Sequence, residues 1–238
     1  MLIIGCAAIA AALFFTRPIV VKGFIPASIK EKATVGWKKG FPRSEKGGLP
    51  AGWKLAKKPG TKSATFLVET DTENNAPFLR MTADKASASL VTSVDGVDLA
   101  RTPVLRWRWR ANTLPEGADG RTRGKDDQAI GIYIGEGSAL NNRSMSYRWD
   151  TETPKGAEGD SAYGLGGIKV KWHTLRNKTD AADGRWYVEE RNVAEDFKKA
   201  WGHYPEKIYL SVSCNSQYTR SSASADLGWV EFISITPE

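Results

Sequence analysis

Residues 105–110 alternate between apolar and cationic side chains. Successive side chains of a β-strand point to opposite faces, so a strand here would bury one set and present the other. The buried set would be Leu105, Trp107 and Trp109. The outward set would be Arg106, Arg108 and Arg110. The run therefore predicts a strand with a core on one side and a ladder of three guanidinium groups on the other.

Past residue 62 the chain consists of short runs of strand-forming residues separated by Gly, Pro, Asn and Asp. Ten runs are predicted as strands, at 63–69, 77–83, 88–94, 104–110, 129–135, 144–150, 167–175, 185–191, 207–214 and 227–235. Many short strands with almost no helical periodicity are typical of an antiparallel sandwich or barrel. We therefore expect an all-β fold.

One segment departs from the strand pattern. Apolar residues recur at helical spacing between 193 and 201, Asn192 can cap the start of a helix, and Gly202 can end it. We expect one short helix here, covering an edge or an end of the sheets.

The N-terminus is apolar from residue 2 to residue 15, a run of 14 residues. This is shorter than the roughly 20 residues that span a bilayer and resembles the apolar part of a secretory signal. Residues 1–22 are therefore predicted to be a signal peptide, or alternatively an uncleaved anchor that attaches the protein to the membrane. Either would direct the protein to the periplasm or cell envelope. A basic segment at 23–62 and one β-sandwich domain at 63–238 would follow.

The net charge of the chain is +7 and its pI is about 9.3. This favours anionic partners such as acidic polysaccharide, whereas export argues against nucleic acid. The two cysteines give no disulfide framework, and neither they nor the two histidines have zinc-ligand spacing. Cys214 lies in an apolar run and is expected to be a small buried hydrophobe.

Alternation in the other strands predicts which side chains share the outward face. In the run at 167–175, Val170 and Trp172 are placed in the core, with Lys171 and His173 outward. Aromatic rings stack on the C–H patches of sugars, and guanidinium groups pair with hydroxyls or carboxylates. The candidate ligand-binding residues are Arg106, Arg108, Arg110, Tyr133, Arg148, Tyr187 and Tyr209. The alternative is a solvated face with cross-strand salt bridges.

Several short motifs together resemble a known family. They are Leu105-Arg106-Trp107-Arg108-Trp109, Pro115-x-Gly117-Ala118-Asp119, Asp126-Asp127, Tyr147-x-Trp149, Trp186 with Arg191-Asn192-Val193 and Asp196, and the closing segment from Gly228 to Phe232. From about residue 52 to residue 234, the chain resembles a family of exported bacterial proteins, a domain of unknown function grouped with the galactose-binding-like β-sandwiches. The resemblance implies a jelly-roll sandwich, an envelope location and carbohydrate binding, often with a structural calcium ion. Fold likeness alone establishes no function. The chain departs from the pattern at Cys214-Asn215-Ser216-Gln217, where an acidic turn is expected.

A calcium site would need several oxygen ligands from loops. Asp119, Asp126 and Asp127 are the candidate metal ligands. The alternative is that Asp127 pairs with an arginine of the ladder, because a half-buried carboxylate beside an arginine needs no metal. No other cofactor is predicted.

Catalysis by the same face is a separate hypothesis. A glycoside hydrolase needs two carboxylates across a cleft, and the candidates are Asp127, Asp150, Glu189 and Glu231. A polysaccharide lyase needs a base, for which His173 is the candidate, and an envelope scaffold needs neither. We expect instead a non-catalytic protein that binds acidic or cell-surface polysaccharide, with the candidate arginines and tyrosines converging on one concave surface.

Overall fold

The structure is a computed structural model that describes residues 34–42, 49–138, 140–163, 166–180 and 184–234. Two β-sheets pack face to face. The first sheet has the strand order β11 (Tyr187–Asn192), β6 (Val104–Thr113), β13 (Ser222–Ser234), β4 (Pro77–Asp84) and β3 (Thr65–Thr70), and β1 (Thr34–Lys39) also pairs with β13. The second has the order β2 (Lys54–Lys57), β5 (Ser87–Ser93), β12 (Tyr209–Asn215), β7 (Gln128–Gly137), β8 (Asn142–Trp149), β10 (Ile168–Arg176) and β9 (Glu158–Tyr163). Helix α1 (Val193–Trp201) follows β11.

This architecture is a jelly-roll β-sandwich, which confirms the predicted fold class. Each of the ten predicted runs overlaps a strand of the structure. Within the described sheets the pairing is antiparallel except between β8 and β10, which run parallel. The exception arises because the chain leaves β8 for the sheet edge, forms β9 there, and returns antiparallel to it as β10.

Three strands lie outside the predicted runs, namely β1, β2 and β9. β1 pairs with the C-terminal part of β13, and β2 pairs with β5, so the sheets begin at residue 34 and not at residue 63. These strands have few apolar residues, which hides their alternation. The predicted signal peptide or anchor at 1–22 lies outside the described residues. The part of the chain that the structure describes contains no helix that could span a bilayer.

Aromatic rings from the two sheets meet in the core. The ring of Trp107 on β6 stacks on that of Tyr147 on β8, with centroids 5.4 Å apart, and Trp109 meets Trp149 edge to face at 5.6 Å. All four side chains are at most 1% exposed. These contacts hold the two sheets together. Replacing one such buried Trp by Ala would cost about 3–5 kcal/mol of stability. Cys214 is also buried, as predicted.

Helix α1 begins and ends where the sequence predicted. The side-chain oxygen of Asn192 accepts a hydrogen bond from the backbone N–H of Glu195 at 3.1 Å. At the other end, Gly202 has φ of 83° and donates its N–H to the carbonyl of Lys198 at 2.8 Å. A residue with a Cβ rarely adopts this left-handed conformation. The apolar side of the helix packs into the core.

The two faces of β10 are reversed relative to the prediction. Trp172 is paired with Ser146 of β8 and shares its outer face, whereas His173 is paired with Tyr147 and lies on the core side. Trp172 can lie on the outer side of β10 because its indole is packed on Gly159 of the edge strand β9 and against the guanidinium of Arg148. Trp172 is consequently only 2% exposed.

Candidate functional site

The predicted ligand-binding residues lie in three different places. Arg106, Arg108 and Arg110 lie on the outer face of the first sheet. Tyr133, Arg148 and Tyr209 lie on the outer face of the second sheet, on the opposite side of the sandwich. Tyr187 points between the sheets, with its ring 5.5 Å from that of Trp149. The expected convergence on one surface is therefore wrong.

Carboxylates of β13 hold two of the ladder arginines. The Nε of Arg106 donates to Glu231 at 2.6 Å, and the Nε of Arg110 donates to Asp226 at 2.7 Å. These two acids are 2% and 0% exposed. Arg106 and Arg110 thus form the cross-strand salt bridges of the alternative interpretation, and they stabilise the first sheet.

On the outer face of the second sheet, two tyrosine rings lie against glycines. Tyr209 of β12 is directly opposite Gly135 of β7, and its ring covers this glycine so closely that a Cβ there would collide with it. The ring of Tyr133 covers Gly131 similarly, with its Cε2 atom 2.8 Å from where a Cβ would be. Both tyrosines are partly exposed. We call the surface formed by these four residues the tyrosine face.

Hydroxyl groups lie around the two rings. Serines that share this face are Ser144, Ser146, Ser211 and Ser213. The Nε2 of Gln128 donates to the Tyr133 hydroxyl at 2.8 Å and to the Ser213 hydroxyl at 3.1 Å. Burial raises the pKa of Tyr133, and it raises the pKa of Tyr209 to about 12, so both phenols stay protonated at neutral pH. The four serines and Gln128 are buried beside the rings. The exposed part of the tyrosine face is therefore the two rings, which this hydrogen-bonded layer holds in place.

A buried arginine supports one side of the tyrosine face. The guanidinium of Arg148 lies 5.3 Å from the indole of Trp172 and ion-pairs with Asp126 at 2.7 Å and Asp150 at 3.0 Å. The backbone of Gly120 packs against it, since a Cβ at that glycine would be 3.1 Å from Nη1. Arg148 is only 2% exposed. It therefore stabilises the wall of the site, and its predicted role as a direct ligand contact is not supported by its position.

Asp126 connects this wall to β9. Its Oδ2 accepts hydrogen bonds from the hydroxyl of Tyr163 and, at 3.2 Å, from that of Ser161. Burial and the charge of Asp126 raise the pKa of Tyr163, which stays protonated and donates. The side chain of Asp126 is 12% exposed and lines an open pocket of about 570 Å³ next to the loop 120–124. This pocket extends the candidate site beyond the two rings.

The three predicted metal ligands have separate protein partners. Asp119 binds Arg121 at 2.7 Å, which holds the pKa of that carboxyl at about 2. Asp127 accepts from the backbone N–H and the hydroxyl of Thr219 at 2.7 and 2.9 Å, and not from a ladder arginine as the alternative predicted. Asp126 is engaged by Arg148. In the described parts of the chain, no group of three acidic, His or Cys residues is arranged to hold a metal.

The residues considered for catalysis are also engaged elsewhere. Glu189 accepts from the indole N–H of Trp109 at 3.3 Å, on the core side of β11, while Glu231 lies on the outer face of the first sheet. Asp150 accepts from Thr174 at 2.6 Å. His173 is 8% exposed, on the core side of β10, with Nδ1 3.1 Å from Glu158. Glu189, Glu231 and His173 do not share a face with the two tyrosine rings. Asp150 lies on the same side of the second sheet as Arg148, but it is 0% exposed and bound to that arginine.

Sequence reasoning missed the glycines and the role of β9. In Gly131-Ile132-Tyr133-Ile134-Gly135, both glycines share the face of the tyrosine, because residues two apart on a strand point the same way. That spacing was a usable signal for a ring lying flat on the sheet. Tyr163 and Ser161 had no comparable signal, because β9 has few apolar residues.

Several solved structures are similar to this chain at low sequence identity. A family 11 carbohydrate-binding module of the cellulosomal cellulase Lic26A-Cel5E of Clostridium thermocellum matches 86% of this chain and 99% of its own, with TM-score 0.43 and 9% identity. A meso-active thermo-stable cellulase derived from Cel12A of Rhodothermus marinus matches 83% of this chain and 97% of its own, with TM-score 0.40 and 11% identity. The enzymatically active domain of tailspike protein 4 of bacteriophage CBA120 matches 75% of this chain, which spans 19% of that protein, with TM-score 0.37 and 9% identity.

No curated protein matches the chain in a sequence comparison. A family model described as "Protein of unknown function (DUF3047)" matches residues 51–231. This match covers most of the chain, including every strand of the second sheet. The chain therefore belongs to this family of proteins of unknown function, DUF3047.

Proposed function

We propose that this protein binds carbohydrate through the tyrosine face, without chemistry of its own. The observation that carries the proposal is that Tyr209 and Tyr133 lie over Gly135 and Gly131 on one sheet face. Such rings, held by buried hydroxyl and amide groups beside them, offer a broad, rigid apolar surface at the level of the sheet. Apolar surface with a few fixed polar groups is what small-molecule sites provide, and the apolar faces of sugar rings can stack on aromatic side chains.

The spacing along β7 supports a ligand longer than one sugar. Gly131 and Gly135 are separated by four residues, which at the rise of a strand is about 13 Å. A ligand that touches both rings must therefore extend along β7. We infer an oligosaccharide or polysaccharide ligand.

Binding without catalysis is supported by how the nearby carboxylates are engaged. Asp126 and Asp150 both form ion pairs with Arg148, and Asp126 also accepts from Tyr163. Glycoside hydrolysis needs one carboxyl group that can give up a proton and a second that stays ionised across a cleft. Two carboxylates that share one buried guanidinium are poorly arranged for those roles.

The proposal includes an acidic polysaccharide of the cell envelope as the ligand. The net charge of +7 favours a polyanion, and Arg121 and Arg123 line the pocket beside Asp126. The apolar run at 2–15 supports export, with attachment to the membrane through the N-terminus as the second option. Polygalacturonate and alginate are suitable acidic probes, and a neutral β-glucan tests whether charge is needed.

Affinity gel electrophoresis through each polysaccharide tests the proposal. The wild-type protein should be retarded by at least one acidic polymer. Tyr209→Ala and Tyr133→Ala should each reduce that retardation, with an affinity for the polymer about tenfold weaker, equivalent to about 1.4 kcal/mol of binding free energy. Tyr204→Ala is the matched control, because Tyr204 is a 44% exposed tyrosine after α1, away from this face. Equal loss in all three variants, or the release of new reducing or unsaturated ends from the polymer, would refute the proposal.

A further inference from the structure

Arg108 is the ladder arginine without a carboxylate directly across from it. In the register of the first sheet, Arg106 lies between Glu231 of β13 and Glu190 of β11. At the next outward position, Arg108 lies between Trp229 and Val188. Arg106 thus has a carboxylate on each neighbouring strand, whereas Arg108 has an apolar residue on each.

A bulge in β13 explains this difference. The register shifts between Leu227 and Trp229, so Gly228 is the extra residue of the bulge and lies next to Arg108 together with its register partner Trp229. A Cβ on Gly228 would be 3.4 Å from the Cδ of Arg108, in ordinary contact with the arginine stem. The stem of Arg108 therefore lies against β13 at Gly228, which brings no partner for the guanidinium. A bulge commonly changes the direction in which a side chain points.

The guanidinium of Arg108 has only one polar contact within the described part of the chain. Its Nη2 lies 3.4 Å from Asp71, a long distance for an ion pair, and its Cζ lies 4.2 Å from the ring of Trp186. The side chain is 21% exposed. An arginine has five N–H donors in a fixed planar fork, so most of its donors remain for another partner. Burying most of a charged side chain with so little compensation is costly.

A pocket of about 610 Å³ lies in front of this guanidinium. Arg110 and Arg80 also line it, but both are bound by the buried Asp226, at 2.7 and 2.9 Å. Trp186 forms an aromatic side of the pocket, where Arg110 also approaches its ring at 4.4 Å. The pocket therefore offers one incompletely paired guanidinium beside a broad ring.

We propose that this pocket is a second binding site, in which Arg108 pairs with a carboxylate of the ligand and Trp186 packs against the rest of it. A planar carboxylate matches the fork of a guanidinium and can form two parallel hydrogen bonds. Glu69, Asp71 and Glu73 also line the pocket. These acids would repel a doubly charged phosphate more strongly than a singly charged carboxylate, because the repulsion grows with the charge.

The site is independent of the tyrosine face, because it lies on the outer face of the other sheet. Isothermal titration with trigalacturonate tests it, with inorganic phosphate and a sulfated trisaccharide as competing anions. Arg108→Gln should weaken trigalacturonate binding about tenfold or more. Arg101→Gln is the matched control, since Arg101 is an exposed arginine whose removal changes the net charge equally. It should change the affinity less than about twofold.

Asp71→Asn provides a test in the opposite direction. It removes the one carboxylate that competes for Arg108 while keeping the side-chain oxygen that accepts from the N–H of Glu73. Binding should become tighter, and this result decides the question if Arg108→Gln fails to fold. An affinity unchanged in Arg108→Gln, or an equal loss in Arg101→Gln, would overturn the proposal. Tighter binding of phosphate or of the sulfated sugar than of trigalacturonate would overturn the carboxylate assignment. Binding lost only in Tyr209→Ala would leave the tyrosine face as the sole site.

Discussion

The phenol ring of Tyr209 lies directly on Gly135, its pairing partner on the neighbouring strand. The ring can lie flat there because glycine has no side chain, and any Cβ at position 135 would occupy the space of the ring. The orientation of the Tyr209 ring therefore depends on the missing Cβ atom of Gly135 on β7.

Gly135→Ala should therefore impair binding without removing any group that touches the ligand. The added methyl would push the Tyr209 ring off the sheet, and we expect about tenfold weaker polysaccharide binding with little change in melting temperature. Gly40→Ala is the control, because no atom lies within 4 Å of its Cβ position. Affinity electrophoresis of both variants checks this prediction. Wild-type retardation of Gly135→Ala would show that the flat ring is not needed.

Arg148→Met should destabilise the protein strongly. It leaves Asp126 and Asp150 without their shared cation at a site where the arginine is 2% exposed. Breaking a buried ion pair from one side costs about 3–5 kcal/mol. Arg121→Met, which removes a 52% exposed arginine from Asp119, should cost about 1 kcal/mol or less. Urea unfolding measures both values, and similar costs for the two variants would contradict the structural role of Arg148.

Asn192→Ala should lower the free energy of unfolding by about 1 kcal/mol, since it removes the side-chain oxygen that caps α1. Asn192→Ser keeps an acceptor at that position and should restore most of the loss. Chemical denaturation of the two variants gives the comparison. An equal cost for Ala and Ser would mean that the cap does not stabilise the helix.

His173 should make the protein less stable in mild acid. Burial lowers its pKa, although Glu158 lies at 3.1 Å; Asp196, Arg191 and Lys199 also act on it, and it faces the ring of Tyr147. Because the folded pKa is below the ordinary value of about 6.5, the unfolded chain binds more protons as the pH falls through that value. Stability contributed by the neutral imidazole is therefore present above about pH 6.5 and is lost below it.

Unfolding measured between pH 8 and pH 5 in wild type and His173→Gln isolates this contribution. The raised pKa of His203, which binds Glu136, acts in the opposite direction but is common to both proteins. The difference between the two proteins should shrink as the pH falls. A difference independent of pH would mean that His173 does not titrate between the folded and unfolded states.

The sequence predicted the fold well because the fold depends on local patterns. Alternation located the strands, and the polar residue before Val193 and the glycine after Trp201 located the helix. In β6, the alternating Trp residues were placed correctly in the core. Each of these signals is contained within about ten residues, so no knowledge of distant contacts was needed.

The site was predicted less well because it depends on which strands become neighbours. Alternation gave Arg108 and Tyr209 the same outward orientation but did not show that they belong to different sheets. Tyr187 was placed outward, whereas its pairing with Trp109 turns it into the core. Trp172 was placed in the core, whereas it lies on the outer side, where Gly159 of β9 and Arg148 of β8 cover its ring. These outcomes are set by long-range pairing.

The central claim is tested most directly by tyrosine-selective NMR. The protein is titrated with an oligosaccharide fragment of the polysaccharide that retards it in the affinity gel. The chain has seven tyrosines, so each ring signal can be assigned. Our account predicts that the signals of Tyr133 and Tyr209 shift most and saturate together, while Tyr187 in the core and the exposed Tyr204 stay in place. Saturated binding with unchanged Tyr133 and Tyr209 signals would contradict it.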